Sequence, residues 1–193
     1  MTDGIGFVGY PGSGKTTAAV RLSARPGWGY VSTGDAVRRR ARRELGADAD
    51  PARVAEWIGD RIAAEGPQLV SDWTLDWMDR EHTADRAAVD SVRTPRDYEA
   101  FSAAFDRFEL VYVTADRETR LARLCRRDRN GEAEYDLAHL RERDETEDDY
   151  GVADVLAAET YDRRLANEDG IGAFCRRVAQ LGARVEREGW SDA

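Results

Sequence analysis

The chain is nearly devoid of lysine: among 29 Lys+Arg residues, only Lys15 is a lysine. Cysteine is almost as scarce. Cys125 and Cys175 form no C-x-x-C pair, which excludes a disulfide framework or a cysteine-rich zinc centre and fits a reducing compartment. The two histidines, His82 and His139, lack metal-ligand spacing and read as surface or structural residues. No apolar run approaches the 18 residues of a membrane span, and no secretory leader pattern stands out, so a soluble cytoplasmic protein without a membrane partner is expected. A basic excess is also missing. With a formal net charge of −9 and a sequence pI near 4.9, a general nucleic-acid partner is not expected. An acid-rich, lysine-poor surface suits a salt-adapted proteome, and codon bias in a GC-rich genome gives the same composition.

The one lysine stands in Gly9-Tyr10-Pro11-Gly12-Ser13-Gly14-Lys15-Thr16, followed by Thr17. Every fixed position of the G-x-x-x-x-G-K-[ST] phosphate-binding loop is filled. A compact ammonium reaches between β- and γ-phosphates where a planar guanidinium fits badly. Ile5-Gly6-Phe7-Val8 before it reads as a buried strand, and Thr16 to Leu22 after it as a helix. That order delivers backbone N–H groups and the helix dipole to an anion. The motif predicts binding of a nucleoside triphosphate, ATP, with Thr16 a ligand for Mg²⁺.

Downstream, strand and helix alternate as in a three-layer α/β fold of the P-loop NTPase, nucleotide-kinase type, with a five-stranded parallel sheet. Strands are expected at Gly29–Ser32, Arg86–Asp90, Leu110–Thr114 and, most weakly, Leu165-Ala166. Helices are expected from Asp35 to about Leu45, from Asp50-Pro51, after Gly66-Pro67, from Asp116 to about Asp128, over Val152–Glu159 and over Gly170–Glu188. Trp57, Trp73 and Trp77 fall on apolar stripes and read as core. A length of 193 residues suits one domain, 1–193, with a helical acceptor region over about 33–82 and a polar lid over about 128–150.

Three further segments carry chemistry. Thr33-Gly34-Asp35-Ala36-Val37-Arg38 lies at the carboxyl end of the second strand, where acceptors enter such folds. It resembles the T-G-D-x-x-R signature of adenylate kinases, which implies that Thr33 and Arg38 hold an acceptor. Asp90-Ser91-Val92-Arg93 ends the third strand; Asp90 is placed to hold Mg²⁺ through water, and Arg93 to face the transferred or acceptor phosphate. Arg123 and Arg127, four apart on one helical face beside the polar segment, are candidates to neutralise charge in transit.

Taken together, phosphate loop, G-D-x-x-R, D-S-x-R, arginine helix, Arg127-Asp128 and Asn167-Glu168-Asp169-Gly170 resemble an archaeal family of P-loop ATPases or kinases related to dephospho-coenzyme A and adenylate kinases. The likeness spans roughly residues 4–185. It implies that Asn167 lies beside the ATP base. Ser91 stands where the family pattern carries glycine.

The expected activity is transfer of the ATP γ-phosphate to a small nucleotide-like acceptor, a nucleoside monophosphate or dephospho-coenzyme A. Lys15 and the loop backbone would hold the donor, Thr16 and Asp90 Mg²⁺, Thr33, Arg38 and Arg93 the acceptor. Asp35 would take a proton from a hydroxyl acceptor. The rival is an ATP-hydrolysing regulatory switch with no small acceptor.

Overall fold

The computed structural model describes residues 3–128 and 131–188. Five strands, β1 (Asp3–Val8), β2 (Trp28–Ser32), β3 (Arg86–Asp90), β4 (Arg107–Thr114) and β5 (Arg163–Ala166), form one parallel sheet in the order β2-β3-β1-β4-β5. Around it run α1 (Lys15–Ser23), α2 (Thr33–Leu45), α3 (Pro51–Glu65), α4 (Leu69–Glu81), α5 (Pro95–Ala104), α6 (Arg117–Arg127), α7 (Leu137–Asp149), α8 (Val152–Ala157) and α9 (Ile171–Glu188). The expected fold class holds and each expected strand is present, β5 starting two residues before Leu165.

A parallel sheet covered on both faces needs apolar side chains on both, and β1 supplies them by alternation. Ile5 and Phe7 pack with Leu22 of α1, Val111 and Val113 of β4, and Phe174 and Val178 of α9. Val8 joins Val31, Val89, Leu110, Phe101, Val152 and Val155 on the other side. Because α1 returns to β2 on one side of β1 while α5 leads to β4 on the other, the carboxyl end of β1 lies where the connections diverge. Ligand crevices form at such points. The register fixes the neighbours: Phe7 pairs with Asp90, and Asp90 with Ser32.

Two helices were not expected. The first, α5, is opened by a capping box: Thr94 Oγ1 accepts from Asp97 N at 2.9 Å, and the Asp97 carboxylate accepts from Thr94 N at 3.1 Å. Thr94→Ala should therefore cost about 1 kcal/mol of stability, measured by urea unfolding; an unchanged midpoint would show that Pro95 alone starts the helix. The second, α7, runs through the segment expected to be a polar lid with little to bury. Its Leu140 is fully buried, while Asp144 and Glu147 are covered through pairing with arginines.

Strand β4 begins three residues earlier than expected and includes Glu109, 4% exposed, whose Oε1 takes Arg163 at 2.6 Å and whose Oε2 takes Arg184. Trp57 and Trp73 stack at 5.7 Å between α3 and α4, with Arg40 and Arg61 over Trp73 and Arg39 over Trp77. Trp57 and Trp73 are half-buried in this arginine-capped seam, whereas Trp77, also half-buried, packs against the core as expected.

Candidate functional site

At the carboxyl end of β1 the chain turns through Gly9–Gly14 into α1. Gly12 and Gly14 adopt φ of 79° and 112°, conformations open to glycine, and a Cβ on Gly12 would come within 2.7 Å of Arg120 O. The first intrahelical bond of α1 runs from Ala18 N to Gly14 O at 2.9 Å. The N–H groups of Lys15, Thr16 and Thr17 precede it and so have no partner within the helix. Ser13 Oγ is buried without a hydrogen-bond partner. Lys15 Nζ folds back on its own loop, donating to Gly9 O and, at 3.2 Å, to Tyr10 O. Burial lowers its ammonium to about 8, with Glu147 opposing that shift. Unpaired donors, an orphan hydroxyl and a desolvated cation together suit a polyphosphate.

Two hard oxygen groups stand beside the loop. Thr16 Oγ1 donates to Asp90 Oδ2 at 2.7 Å, and Tyr30 Oη donates to the same oxygen at 3.0 Å. Burial, then the Asp90 charge, raises the Tyr30 phenol to about 12, so it stays a donor. Among the described residues no three His, Cys, Asp or Glu side chains cluster as a metal cage. One hydroxyl and one carboxylate fit Mg²⁺, which takes its remaining ligands from phosphates and water. Replacing Asp90 by Asn should raise the Mg²⁺ concentration needed for half-maximal ATP turnover about 10–100-fold. A metal titration of activity checks this; an unshifted curve would remove Asp90 from the metal site.

Ser91 adopts φ 72° and donates from Oγ to Asp90 Oδ1 at 3.0 Å. A serine thus takes up a glycine-like backbone at a cost of about 1–2 kcal/mol and braces the adjacent carboxylate.

Thr33 is buried and joins the ends of β2 and β3: its Oγ1 donates to Ser91 O at 2.9 Å or to Asp90 O at 3.2 Å, and accepts from Arg93 Nη1 at 3.4 Å. Asp35 and Arg38 are joined to each other, with Arg38 Nη2 on Asp35 Oδ1 at 2.6 Å. A hollow of about 180 Å³ lies beside them, lined by Tyr30, Ser32, Asp35, Ala36, Arg39 and Trp77. A larger hollow of about 270 Å³, lined by Arg21, Arg25 and Ala179 among others, sits at the far end of α1, away from the loop.

The two candidate lid arginines diverge. Arg123 turns to the loop, with Nη1 3.4 Å from Gly12 O and Nη2 2.7 Å from Asn167 O. Arg127 turns to the buried Glu132 in the 3-10 turn Glu132–Glu134, with Nε at 2.8 Å. Asn167 is itself buried, its Nδ2 donating to Ser13 O at 2.7 Å, so its side chain braces the loop.

Three residues of this site, Arg120, Asp144 and Glu147, belong to none of the sequence motifs and were not expected in it. Arg120, 4% exposed, donates to both oxygens of Asp144 at 2.7 Å, contacts Pro11 O at 3.2 Å, and lies over the Tyr10 ring. Glu147 accepts from Arg93 Nε at 3.0 Å. Burial pushes the Glu147 carboxyl up, but Arg93 and Lys15 outweigh it and hold it below the usual range. Spacing offers one signal: Arg120 and Arg123 are three apart, on one side of α6.

An AAA domain model matches residues 8–141. A UPF0200 protein of Halobacterium salinarum is 34% identical over 181 residues, covering 92% of this chain and 90% of the relative. One from Methanothermobacter thermautotrophicus is 28% identical, covering 96% and 92%. Among solved structures, a shikimate kinase from Acinetobacter baumannii in complex with shikimate aligns with TM-score 0.55 at 16% identity, covering 100% of this chain and 97% of that chain. A sugar kinase from Janibacter aligns with TM-score 0.56 at 13% identity, all of both chains being covered. The similarity of fold is to P-loop kinases. Among the described residues no helix is long and apolar enough to cross a membrane.

Proposed function

The chain belongs to the UPF0200 family, with an AAA domain over residues 8–141, and on that premise we propose that it is a Mg-ATP-dependent phosphotransferase acting on a small nucleotide-like acceptor. The observation that carries this reading is the convergence of Lys15, the Thr16–Asp90 pair and the Thr33–Arg93 pair at the carboxyl ends of β1, β2 and β3. In this reading donor phosphates, metal and acceptor take adjoining places at these strand ends, as phosphoryl transfer needs.

In this reading the 9–17 backbone and Lys15 cradle the triphosphate, while Thr16 and Asp90 would hold Mg²⁺. When bound, the ion neutralises charge on the β- and γ-phosphates. The hollow between Tyr30 and Trp77 receives the acceptor beside Asp35 and Arg38. Its size favours a single ring, or one end of a larger molecule, over a whole dinucleotide. Arg123 supports the donor end through the loop carbonyls and Asn167. Arg127 would join the reaction only by leaving Glu132. The helical region over 33–82 and the segment 128–150 act as acceptor holder and lid within one catalytic domain.

The deciding experiment is ADP release from Mg-ATP in high-salt buffer, against nucleoside monophosphates, nucleosides and dephospho-coenzyme A. Strong stimulation by one compound, dependent on Lys15, establishes the kinase and names its acceptor class. Tight ATP binding with slow, unstimulated hydrolysis across the panel supports a regulatory switch instead.

A further inference from the structure

Helix α7 carries Asp144, Glu147 and Asp148 at positions three and four apart, on one face. Each meets a group of the phosphate site. Asp144 holds Arg120 through two contacts of 2.7 Å, with 13% and 5% of the two side chains exposed. Glu147 holds Arg93 at 3.0 Å and is the carboxylate that acts most strongly on Lys15. Asp148 accepts from Tyr10 Oη at 2.8 Å, inside the loop. On the other side of the helix, Arg141, Glu142, Glu145 and Asp149 face solvent.

Buried carboxylates are tolerated only where cations pair with them. The cations here are those that a triphosphate would recruit: the loop lysine, the arginine after the metal-site aspartate, and a buried arginine against Pro11 O. Phosphate oxygens and carboxylate oxygens compete for the same donors with similar geometry. Docking of α7 and binding of nucleotide therefore draw on one set of positive charges.

We propose that the acidic face of α7 is a built-in competitor for the nucleotide, a strap whose Asp144 and Glu147 must release Arg120 and Arg93 before a nucleoside polyphosphate can bind. The strap regulates the site assigned above, and the inference rests on that assignment. Affinity is then reduced by the fraction of molecules in which α7 is docked, and weakening the strap raises it. The buried Leu140 and the Arg143–Glu132 pair anchor the amino-terminal part of α7, so release concerns chiefly its last turns.

The test is a titration of wild type and Glu147→Gln with a fluorescent methylanthraniloyl derivative of ADP, together with hydrogen exchange of the wild type with and without ADP. Loss of one charged contact from the strap is expected to tighten binding about tenfold. ADP is expected to speed exchange over residues 144–149 and slow it over 9–17. Unchanged or weaker binding by the variant overturns the proposal, as does slower exchange over α7, which would mean that the helix clamps the nucleotide. The exchange measurement decides the matter even if the variant folds poorly. No binding by either protein removes the nucleotide-site assignment itself, and the strap with it.

Discussion

Lys15→Met is expected to lower Mg-ATP turnover about 10²–10³-fold, the scale on which a preorganised donor to a developing charge acts. The same substitution should make the protein more stable when no nucleotide is present. Burial brings the Lys15 ammonium down to about 8, whereas an unfolded lysine titrates near about 10.4. A base with a lowered folded pKa destabilises the native state fully below the folded value. The penalty is relieved as pH rises from about 8 toward the unfolded value, because the unfolded chain then binds more protons. The contribution is on the order of 1–3 kcal/mol, with the lost bonds to Gly9 O and Tyr10 O offsetting part of it. Melting curves of both proteins at about pH 7 and about pH 10 check the sign. The variant should melt higher at the lower pH, and the gap should narrow at the higher one. A variant less stable at both would show that the lysine rests without strain on its loop.

Asp35→Asn is expected to cost about 10²–10⁴-fold in turnover with a hydroxyl acceptor, and far less with a phosphate acceptor. A phosphate oxygen is already nucleophilic, whereas a hydroxyl must lose a proton as the bond to phosphorus forms. Asp35 lines the hollow proposed for the acceptor, and both Arg38 donors fall on its Oδ1, at 3.1 and 2.6 Å, which leaves Oδ2 clear of Arg38. Asparagine keeps the shape and the hydrogen bond and loses the basicity. Comparing kcat for nucleosides and nucleoside monophosphates separates the cases; equal loss with both classes would reduce Asp35 to a partner of Arg38.

The phosphate loop declares itself in the amino-acid sequence because glycine spacing, strand and helix lie within a few consecutive residues, so local chemistry suffices. β3 is legible as a buried apolar run, whereas Asp90 gains meaning only from its register with the loop, because an acid after a strand is common. Strand order is out of reach, because Phe7 opposite Asp90 is a pairing across more than eighty positions. α5 is easily overlooked although Thr94-Pro95-Arg96-Asp97 spells a capping box, a signal that sits in four residues between two strands. α7 is hidden for another reason. Composition scores Asp144 and Glu147 as solvent-seeking, and only the arrangement of Arg120 and Arg93 around them explains their burial. Arg127 reads as a reacting residue until Glu132 is seen to engage it.

The phosphate loop is completed by a residue far along the chain. Ser13 O is met by the Asn167 Nδ2 group, 154 positions further on, and Asn167 N is tied to Thr114 O at 2.8 Å, just past the strand that joins the edge of the sheet last in chain order. A ribosome must therefore release everything through Asn167 before the loop acquires its full support. Nascent chains that stop short of that residue carry the motif without its brace, and ligand can favour only the finished fold. In a growing polypeptide, the fully braced loop is a late property of an early sequence.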